Sequence, residues 1–597
     1  MLNELIKENE SVYINDIRKK FNSINEENVS QIYFVLDILG NKKRYFELKI
    51  PALNTINKNE IDFIKKYLTA EIYNILVCLG GTLMSVYIDK EDLELNNLLN
   101  QIIKFFQINQ KRHQRNKFGK CVNVLERTNE ALTGQKNNFN IIIKEKKSLN
   151  LNIKHDGKSQ KNNKSTIDFK NIINKTKNNL YCGLDIGGTS IKAAVIENGK
   201  IINLKRFYWH PSEFRNIDQL INHIEVIISF MRNYVSLKNE KNVEESVKKT
   251  QLSIMDQKFG EKSTYEDIKN IIEISANYIQ EYNNFDGIGV GFPDVVVKNK
   301  IVGGEVYKTR GIRKSLGKEY RNEFPKLSNL NKKLLDYCNK GGKVNILNDA
   351  HLAAFTAAVE MNSKNGMFVH TLGTELGTGW VNSEGKIPDY PLESYHIIID
   401  LGNINSELYP SDDLRSNRNF VTEIPGTVQQ YVGQSGVFRL IINILSKEKP
   451  DLYNELFEKG FINKNEKGIF VQNEPRDMRN EFLRYIITRC NEKKEDFSID
   501  IFTKIGEYLA VLCEEEERIY QNVPSEKVLF GGLVAVDYCA ELIISGAKNI
   551  NKEINLKVAN DLIANTYLMK QLKDDFGYAV SSFGQAIGAV YYAAEDN

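Results

Sequence analysis

A chain of 597 residues with 42% hydrophobic and 10% aromatic content has room for three or four domains, each with its own core. A net charge of only +3 excludes a global attraction to nucleic acid or to a membrane surface. Seven cysteines are scattered with no C-x-x-C pair, which argues against a disulfide framework or a zinc ribbon. No apolar run is long enough to span a bilayer, and Met1 to Glu10 lacks the apolar core of a signal peptide, so the expected location is cytoplasmic.

Taken in order, residues 1–108 read as a small α+β module of unassigned role. Leu2 to Asn9, Ile14 to Phe21 and Glu26 to Leu36 are expected to be helical, and Phe46, Leu48 and Ile50 alternate as a strand. Asn57 and Glu60 form a capping-box pattern before a helix that ends near Gly80-Gly81; Thr82 to Ile88 is a strand and Asp89 opens a helix through Phe106. The first fifty residues fit a winged helix, but the candidate recognition helix over 25–36 carries Glu26 and Glu27 and no Lys or Arg. Acidic side chains oppose contact with phosphates, so an accessory or dimerisation role is favoured over DNA binding.

Residues 109–178 differ in composition. Between 111 and 178 there are 17 Lys or Arg against 5 Asp or Glu, a local net of +12 in a chain whose total is +3. Such polar, charged sequence buries little apolar surface and is expected to be a flexible basic linker, with some order around Phe139 to Ile143.

From Tyr181 the chain reads as one enzyme. Tyr181 to Ile201 is a strand, a tight turn and a second strand, with Asp185, Gly187, Gly188, Thr189 and Lys192 at or near the turn. Paired glycines let backbone N–H groups approach a phosphate; Lys192 adds a cation and Asp185 a carboxylate able to hold a metal directly or through water. The plain alternative is a hairpin whose turn happens to be Gly-Gly. Ile201 to Trp209 follows as a strand and Asp218 to Tyr234 as a helix, then a polar surface insertion over 238–263 and a helix from Tyr265. Gly287 to Phe292 reads as a buried strand leading to Pro293 and Asp294, and Val344 to Leu347 as a strand delivering Asn348 and Asp349 to the helix Ala350 to Glu360. Strands alternating with helices argue for a parallel-containing sheet, with ligands at the carboxyl ends of its strands. Asp349 there could be a plain N-cap, or a base that takes a proton from an attacking hydroxyl.

A second glycine-rich turn, Gly373, Thr374, Glu375, Gly377, Thr378 and Gly379, mirrors the first between two strands. Two such turns about 185 residues apart suit an internally duplicated fold that clamps a phosphate chain. Glu393 and His396 follow; in isolation they read as an exposed helical pair or a core histidine. Val528 to Leu533 is a strand ending at Gly531-Gly532, and Gly584 to Ala594 a helix rich in small residues.

The pattern D-x-G-G-T-x-x-K at Asp185 to Lys192, then Pro293, Asn348-Asp349, Gly373 to Gly379, Glu393 with His396, and Gly531-Gly532, resembles in residues and order the ROK family of sugar kinases and regulators, in its glucokinase branch. The resemblance covers residues 181–597. It implies an α/β, two-lobed actin-like (ribonuclease-H-like) kinase, with a small lobe over 179–345 and a large lobe over 346–597. It further implies Asp349 as general base and Asn348, Asp349, Glu393 and His396 as hexose contacts. Gly187, Gly188, Thr189, Lys192, Gly373, Thr374, Gly377, Thr378, Gly531 and Gly532 would meet ATP, with Mg²⁺ near Asp185. Glucose is the favoured acceptor, polyphosphate or another hexose the alternative, and a homodimer is compatible with it. A sugar-responsive transcriptional regulator is the rival reading; retention of Asp349 with both turns favours the enzyme. The family's cysteine triad after the histidine is missing, so no structural zinc is expected. Glu375 stands where a small residue is usual, Asp294 where glycine is usual, and a basic run, Lys308 to Lys314, lies beyond it. That run reads as a solvated loop, or as a site for an acidic sugar or polyphosphate.

Overall fold

The computed structural model describes residues 10–38, 42–136, 138–149, 169–260, 262–303, 307–391, 393–402, 409–472, 478–521, 523–559 and 566–595. The helix expected over Leu2 to Asn9 lies outside these.

The N-terminal module is a four-stranded sheet in the order β2-β1-β3-β4, with β1 Val29–Ile38, β2 Lys42–Pro51, β3 Leu83–Ile88 and β4 Asn140–Glu145. β1 runs antiparallel to β2 and β3, and β3 parallel to β4. Its helices are α1 Ile14–Asn22, α2 Lys58–Leu79, α3 Leu93–Phe105 and α4 Gly119–Thr133. The Asn57–Glu60 capping box is present at the start of α2. The N-cap of α3 is Asp92 rather than Asp89.

Two expectations fail here. Residues 29–38 are a strand and not a helix, preceded by a short 3-10 turn at Glu26–Asn28. Ile32 to Leu36 is buried on both faces, and a strand covered on both sides shows no alternation to separate it from a buried helix. The candidate DNA-recognition helix therefore does not exist. The expected linker over 109–178 is also partly folded: α4 and β4 fall within it. Cys121, Val122, Leu125, Phe139 and Ile141, thinly spread among lysines, all point into the module's core. Residues 150–168, the most polar part of that stretch, lie outside the described residues.

Two further sheets share one topology. The first has the order β11-β8-β5-β6-β7, with β5 Leu180–Ile186, β6 Ser190–Glu197, β7 Lys200–Tyr208, β8 Phe285–Phe292 and β11 Cys338–Asn348. β5, β6 and β7 are an antiparallel meander, while β8 and β11 add in parallel on the other side of β5. A small hairpin, β9 Val296–Val297 and β10 Lys300–Ile301, follows β8. Helix α5, Ile217–Asn239, covers one face. The polar insertion over 238–263 holds a helix, Glu245–Lys258, which buries little beyond Met255. The second sheet has the order β13-β12-β16-β17, with β12 Gly366–Leu372, β13 Leu376–Asn382, β16 Lys527–Phe530 and β17 Leu556–Val558. A separate pair, β14 Ile462–Asn465 and β15 Gly468–Val471, lies in the insertion between. Again a hairpin is followed by strands added in parallel. Meander, then parallel strands on the opposite side of the first, is the ribonuclease-H-like order; repeated, it is the two-lobed actin-like fold.

Helices α6 Asp349–Met361 and α8 Val580–Ala593 lie between the sheets, while α7 Asp496–Tyr520 packs behind the second. α8 returns from the end of the chain to β5 and β8. Gly183 and Gly289 let it sit directly on the sheet: a Cβ there would lie 2.0 Å from Ala586 O and 1.8 Å from Ala589 O. The last helix thus packs on the first lobe's sheet as well as on the second lobe's α6, and shares a core with β12.

The N-terminal module is not tethered beside this fold but fused to it. One continuous apolar core joins Phe21, Phe34, Tyr67 and Leu76 to Phe368, Tyr431, Leu509 and Tyr520. Ile14 N donates to Ile399 O (3.0 Å), and Leu401 N to Val12 O (2.9 Å). Asn74 makes paired hydrogen bonds with the backbone of Ile398. Arg18 reaches Glu71 and Glu515, both at 2.6 Å, and Arg518 reaches Glu71 at 2.7 Å; both carboxylates are fully buried. Among the described residues, no helix is long and apolar enough to cross a membrane.

Candidate functional site

The second glycine turn packs on the start of α6, and the first follows Asp185, whose charge reaches Asp349 there. The first turn joins β5 to β6, with Gly188 and Thr189 exposed at its tip. Trp209, just beyond β7, braces it: its backbone N–H donates to Thr189 O and its indole N–H to Gly187 O, each at 3.1 Å. Lys192 Nζ lies 2.8 Å from Asp185 Oδ2, as expected of residues directly paired across the β5–β6 register.

The second turn joins β12 to β13 and packs on the first turn of α6. A Cβ on Gly379 would lie 2.2 Å from Ala350 O, and one on Gly377 would lie 2.3 Å from Thr371 Oγ1 and 3.4 Å from Ala350 Cβ. These glycines allow the strand to lie against the helix start that carries Asp349. Gly531, with φ +109°, brings the third turn equally close: its Cβ would lie 2.3 Å from Leu372 O. Gly531 and Gly532 are exposed, as is Thr374. Thr378 does not join them. It pairs with His370 in register, so it points to the opposite face of the sheet, where its buried hydroxyl finds no partner.

β11 brings Asn348 and Asp349 to the carboxyl end of the first sheet. Asn348 does the capping: its side-chain oxygen accepts from Ala350 N and His351 N, while its amide donates to Asp294 O at 3.0 Å. Asp349 is therefore not spent as the cap, although Ala350 N also donates to it at 2.9 Å. Burial pushes its carboxyl up to about 6, with Lys308 pulling it down and Asp185 pushing it further up.

Lys308 is the group that sequence reasoning misplaced. It was read within a basic run as a solvated loop or an anion site. It is 6% exposed, and its ammonium faces Asp349, Asp294, Asp185 and Glu375. Burial lowers its pKa and those carboxylates oppose the shift. Asp294 is likewise buried; its Oδ1 accepts from Val295 N at 2.7 Å and occupies the space a Cβ on Gly303 would need. Glu375 sits at the tip of the second turn. Its carboxyl is raised by the cleft walls, while Arg479 and Lys308 favour its charge. The repulsion expected between Glu375 and a phosphate is thus partly relieved by cations already in place.

Glu393 and His396 flank a 3-10 turn, Ser394–His396. Burial, with Lys120 nearby, pushes the imidazole down to about 3, so it is neutral. Asn419 Nδ2 lies 3.4 Å from His396 Nδ1, which leaves Nε2 as the donor, 3.9 Å from Glu393 Oε2. Tyr395 hydroxyl donates to Glu393 Oε1 at 3.2 Å and lies close enough to feel Glu375 and Asp294. An exposed helical pair therefore does not describe Glu393 and His396: the imidazole is buried with Asn419 as a partner, as in a core histidine, and Tyr395 links the pair electrostatically to the carboxylates Glu375 and Asp294. Asp185, Asp294 and Glu375 are hard oxygen donors that suit Mg²⁺, with Asp185 nearest the first turn.

Those three carboxylates do not converge on one point; the group of metal-capable side chains that does converge among the described residues lies elsewhere. His370, Cys513 and Glu516 meet in the core under β12, with His370 Nε2 and Glu516 Oε2 2.7 Å apart. They lie on the face of β12 turned away from Asp349 and tie the strand to α7.

No family model and no curated protein matches the chain. Solved structures do. The ROK family glucokinase from Streptomyces griseus, in complex with glucose and AMPPNP, is 14% identical with a TM-score of 0.35, covering 69% of this chain and 98% of its own. Lmo2764 from Listeria monocytogenes, a putative N-acetylmannosamine kinase, is 14% identical with a TM-score of 0.37 over 69% and 98%. A ROK family transcriptional regulator, a homolog of the E. coli MLC protein, is 11% identical with a TM-score of 0.37 over 70% and 80%. The neighbours of the kinase-like part of this chain thus include ROK sugar kinases as well as a ROK regulator.

Proposed function

We propose that this protein is a ROK-type hexose kinase that transfers the γ-phosphoryl group of ATP to a sugar hydroxyl, with glucose and its 6-hydroxyl as the favoured acceptor. The observation that carries the reading is Asp349. It is a half-buried carboxylate at a strand end, relieved of capping by Asn348, with desolvation raising its pKa to about 6. A base of that strength can take a hydroxyl proton near neutral pH.

The remaining residues divide the work. Gly187 closes the first turn, its N–H donating to Ser190 O at 2.9 Å; the backbone N–H groups of Gly188 and Thr189, with Lys192, meet the donor phosphates, and Gly373 to Gly377 close over them. Gly531 and Gly532 leave room for the nucleoside. Asn348, Glu393 and neutral His396 orient the acceptor hydroxyls. Asp185 holds Mg²⁺, which when bound would offset charge on the transferring phosphoryl group. Lys308 keeps Asp349 partly ionised among the other carboxylates. Phosphoryl transfer asks mainly for such positioning and electrostatics.

A regulator would keep the sugar contacts but has no use for the base, and the strand at 29–38 removes its candidate reading helix. The test is a coupled assay with ATP and Mg²⁺ over a panel of hexoses and amino sugars, run beside Asp349→Asn. Turnover of one sugar, lost in the variant, supports the kinase and names the acceptor. Sugar binding without turnover with ATP or polyphosphate overturns it.

A further inference from the structure

Helix α4 has two working faces. Cys121, Val122 and Leu125 point into the core shared by the N-terminal module and the second lobe. Lys120, Val124, Arg127 and Ala131 recur at four, three and four residues and so line the opposite side. Every one of them touches the kinase body. At one end, Lys120 Nζ donates to Val421 O of the second lobe and lies near His396. At the other end, Val124, Ala131 and Leu132 pack on Val295, Val297 and Val302 of the first lobe. Arg127 Nε donates to Val302 O at 3.1 Å, and Lys300 Nζ donates to Ala131 O at 2.9 Å.

The two attachments are unequal. The module meets the second lobe through a continuous core and the buried Arg18–Glu71–Arg518–Glu515 network, so it must move with that lobe. Among the described residues, its hold on the first lobe includes a small cluster around three valines and two side-chain hydrogen bonds to backbone carbonyls, at the β9–β10 hairpin and its flanks. That hairpin starts two residues after Asp294, which Asn348 holds beside Asp349. Two lobes around a bound sugar open and close by hinging, and the weaker contact is the one that breaks.

We propose that α4 is a latch across the acceptor side of the cleft. It fastens to the β9–β10 hairpin when the lobes close, sets how tightly acceptor is held, and keeps water from competing for the phosphoryl group. This rests on the kinase reading for its catalytic consequence, but not for the latch itself.

The experiment uses the full chain and the double variant Arg127→Ala, Lys300→Ala, which removes both hydrogen bonds and leaves every cleft carboxylate in the sequence. Hydrogen exchange of amides 295–302 is expected to speed up at least tenfold, while α2 and α7 stay unchanged. In the coupled assay the acceptor KM is expected to rise about tenfold with kcat little changed, and sugar-independent ATP hydrolysis to increase. Unchanged exchange at 295–302 overturns the latch whatever the enzyme does. Faster exchange with unchanged acceptor KM and hydrolysis overturns its role in the cleft. Absence of turnover in the unmodified chain overturns the kinase reading alone, and the exchange result then still decides the latch. Val302→Ala serves as a milder variant with the same expected directions should the double variant fold poorly.

Discussion

At the scale of single residues the centre of the site is a charge problem. Asp349, Asp294, Asp185 and Glu375 all act electrostatically on the buried Lys308, while Asp185 also pairs with Lys192 and Glu375 also feels Arg479. Asp349 rises from an ordinary 3.8 to about 6. Its carboxyl holds a proton more tightly folded than unfolded, so the folded state loses stability as pH rises between those values. That difference corresponds to at most about 3 kcal/mol at neutral pH. Asp349→Asn should therefore abolish turnover by a factor of about 10² to 10⁴ and at the same time raise the melting temperature at pH 7; an unchanged or lower melting temperature would contradict the strained carboxylate. The pH–rate profile should fall on the acid side near 6, and His396, pushed down to about 3, adds no limb of its own. In Lys308→Met the acid limb should move up by about a pH unit or more, since the cation that favours the charged form of Asp349 is gone. The D-x-G-G-T turn and the Asn-Asp pair were legible because they are local patterns. Lys308 was not, since nothing in Lys-Thr-Arg-Gly-Ile-Arg-Lys distinguishes the one lysine that the fold buries.

At the scale of elements, glycines mark where backbones must touch. Gly531 combines φ +109° with a Cβ position 2.3 Å from Leu372 O. Gly531→Ala should cost about 1–3 kcal/mol of stability from strain of this kind, read in denaturant unfolding, and should raise the KM for ATP more than that for the sugar. Helix α2 depends on its cap: Asn57→Ala should cost about 1 kcal/mol, with no change in kinetics. The cap, the hairpins and most helix positions could be read from spacing. β1 could not, because burial on both faces erases the period-2 signal and leaves an apolar run that suits either element. α4 escaped notice because its apolar positions sit in a strongly basic stretch, and composition there outweighed periodicity.

At the scale of the whole molecule, the N-terminal module and the second lobe are one folding unit. Glu71 has no solvent exposure and holds both Arg18 and Arg518. Glu71→Ala should lower stability by about 3–5 kcal/mol by leaving buried guanidinium groups short of charge, and a chain starting at residue 179 should expose the face of Phe368, Tyr431 and Tyr520 and fail to stay soluble. A stable, active 179–597 fragment would show that the module is an appendage after all. The sequence by itself determined the duplicated glycine turns, the strand–helix order from residue 181 onward and the Asn348-Asp349 pair at a strand end, because each is written in neighbours a few positions apart. Only the tertiary structure decided that Lys308 is buried among four carboxylates, that Thr378 turns away from the cleft, and that α4 reaches across both lobes. Those facts depend on which strand register and which packing the fold adopts, and for α4 on residues 175 to 301 positions away, and a linear pattern carries no record of that.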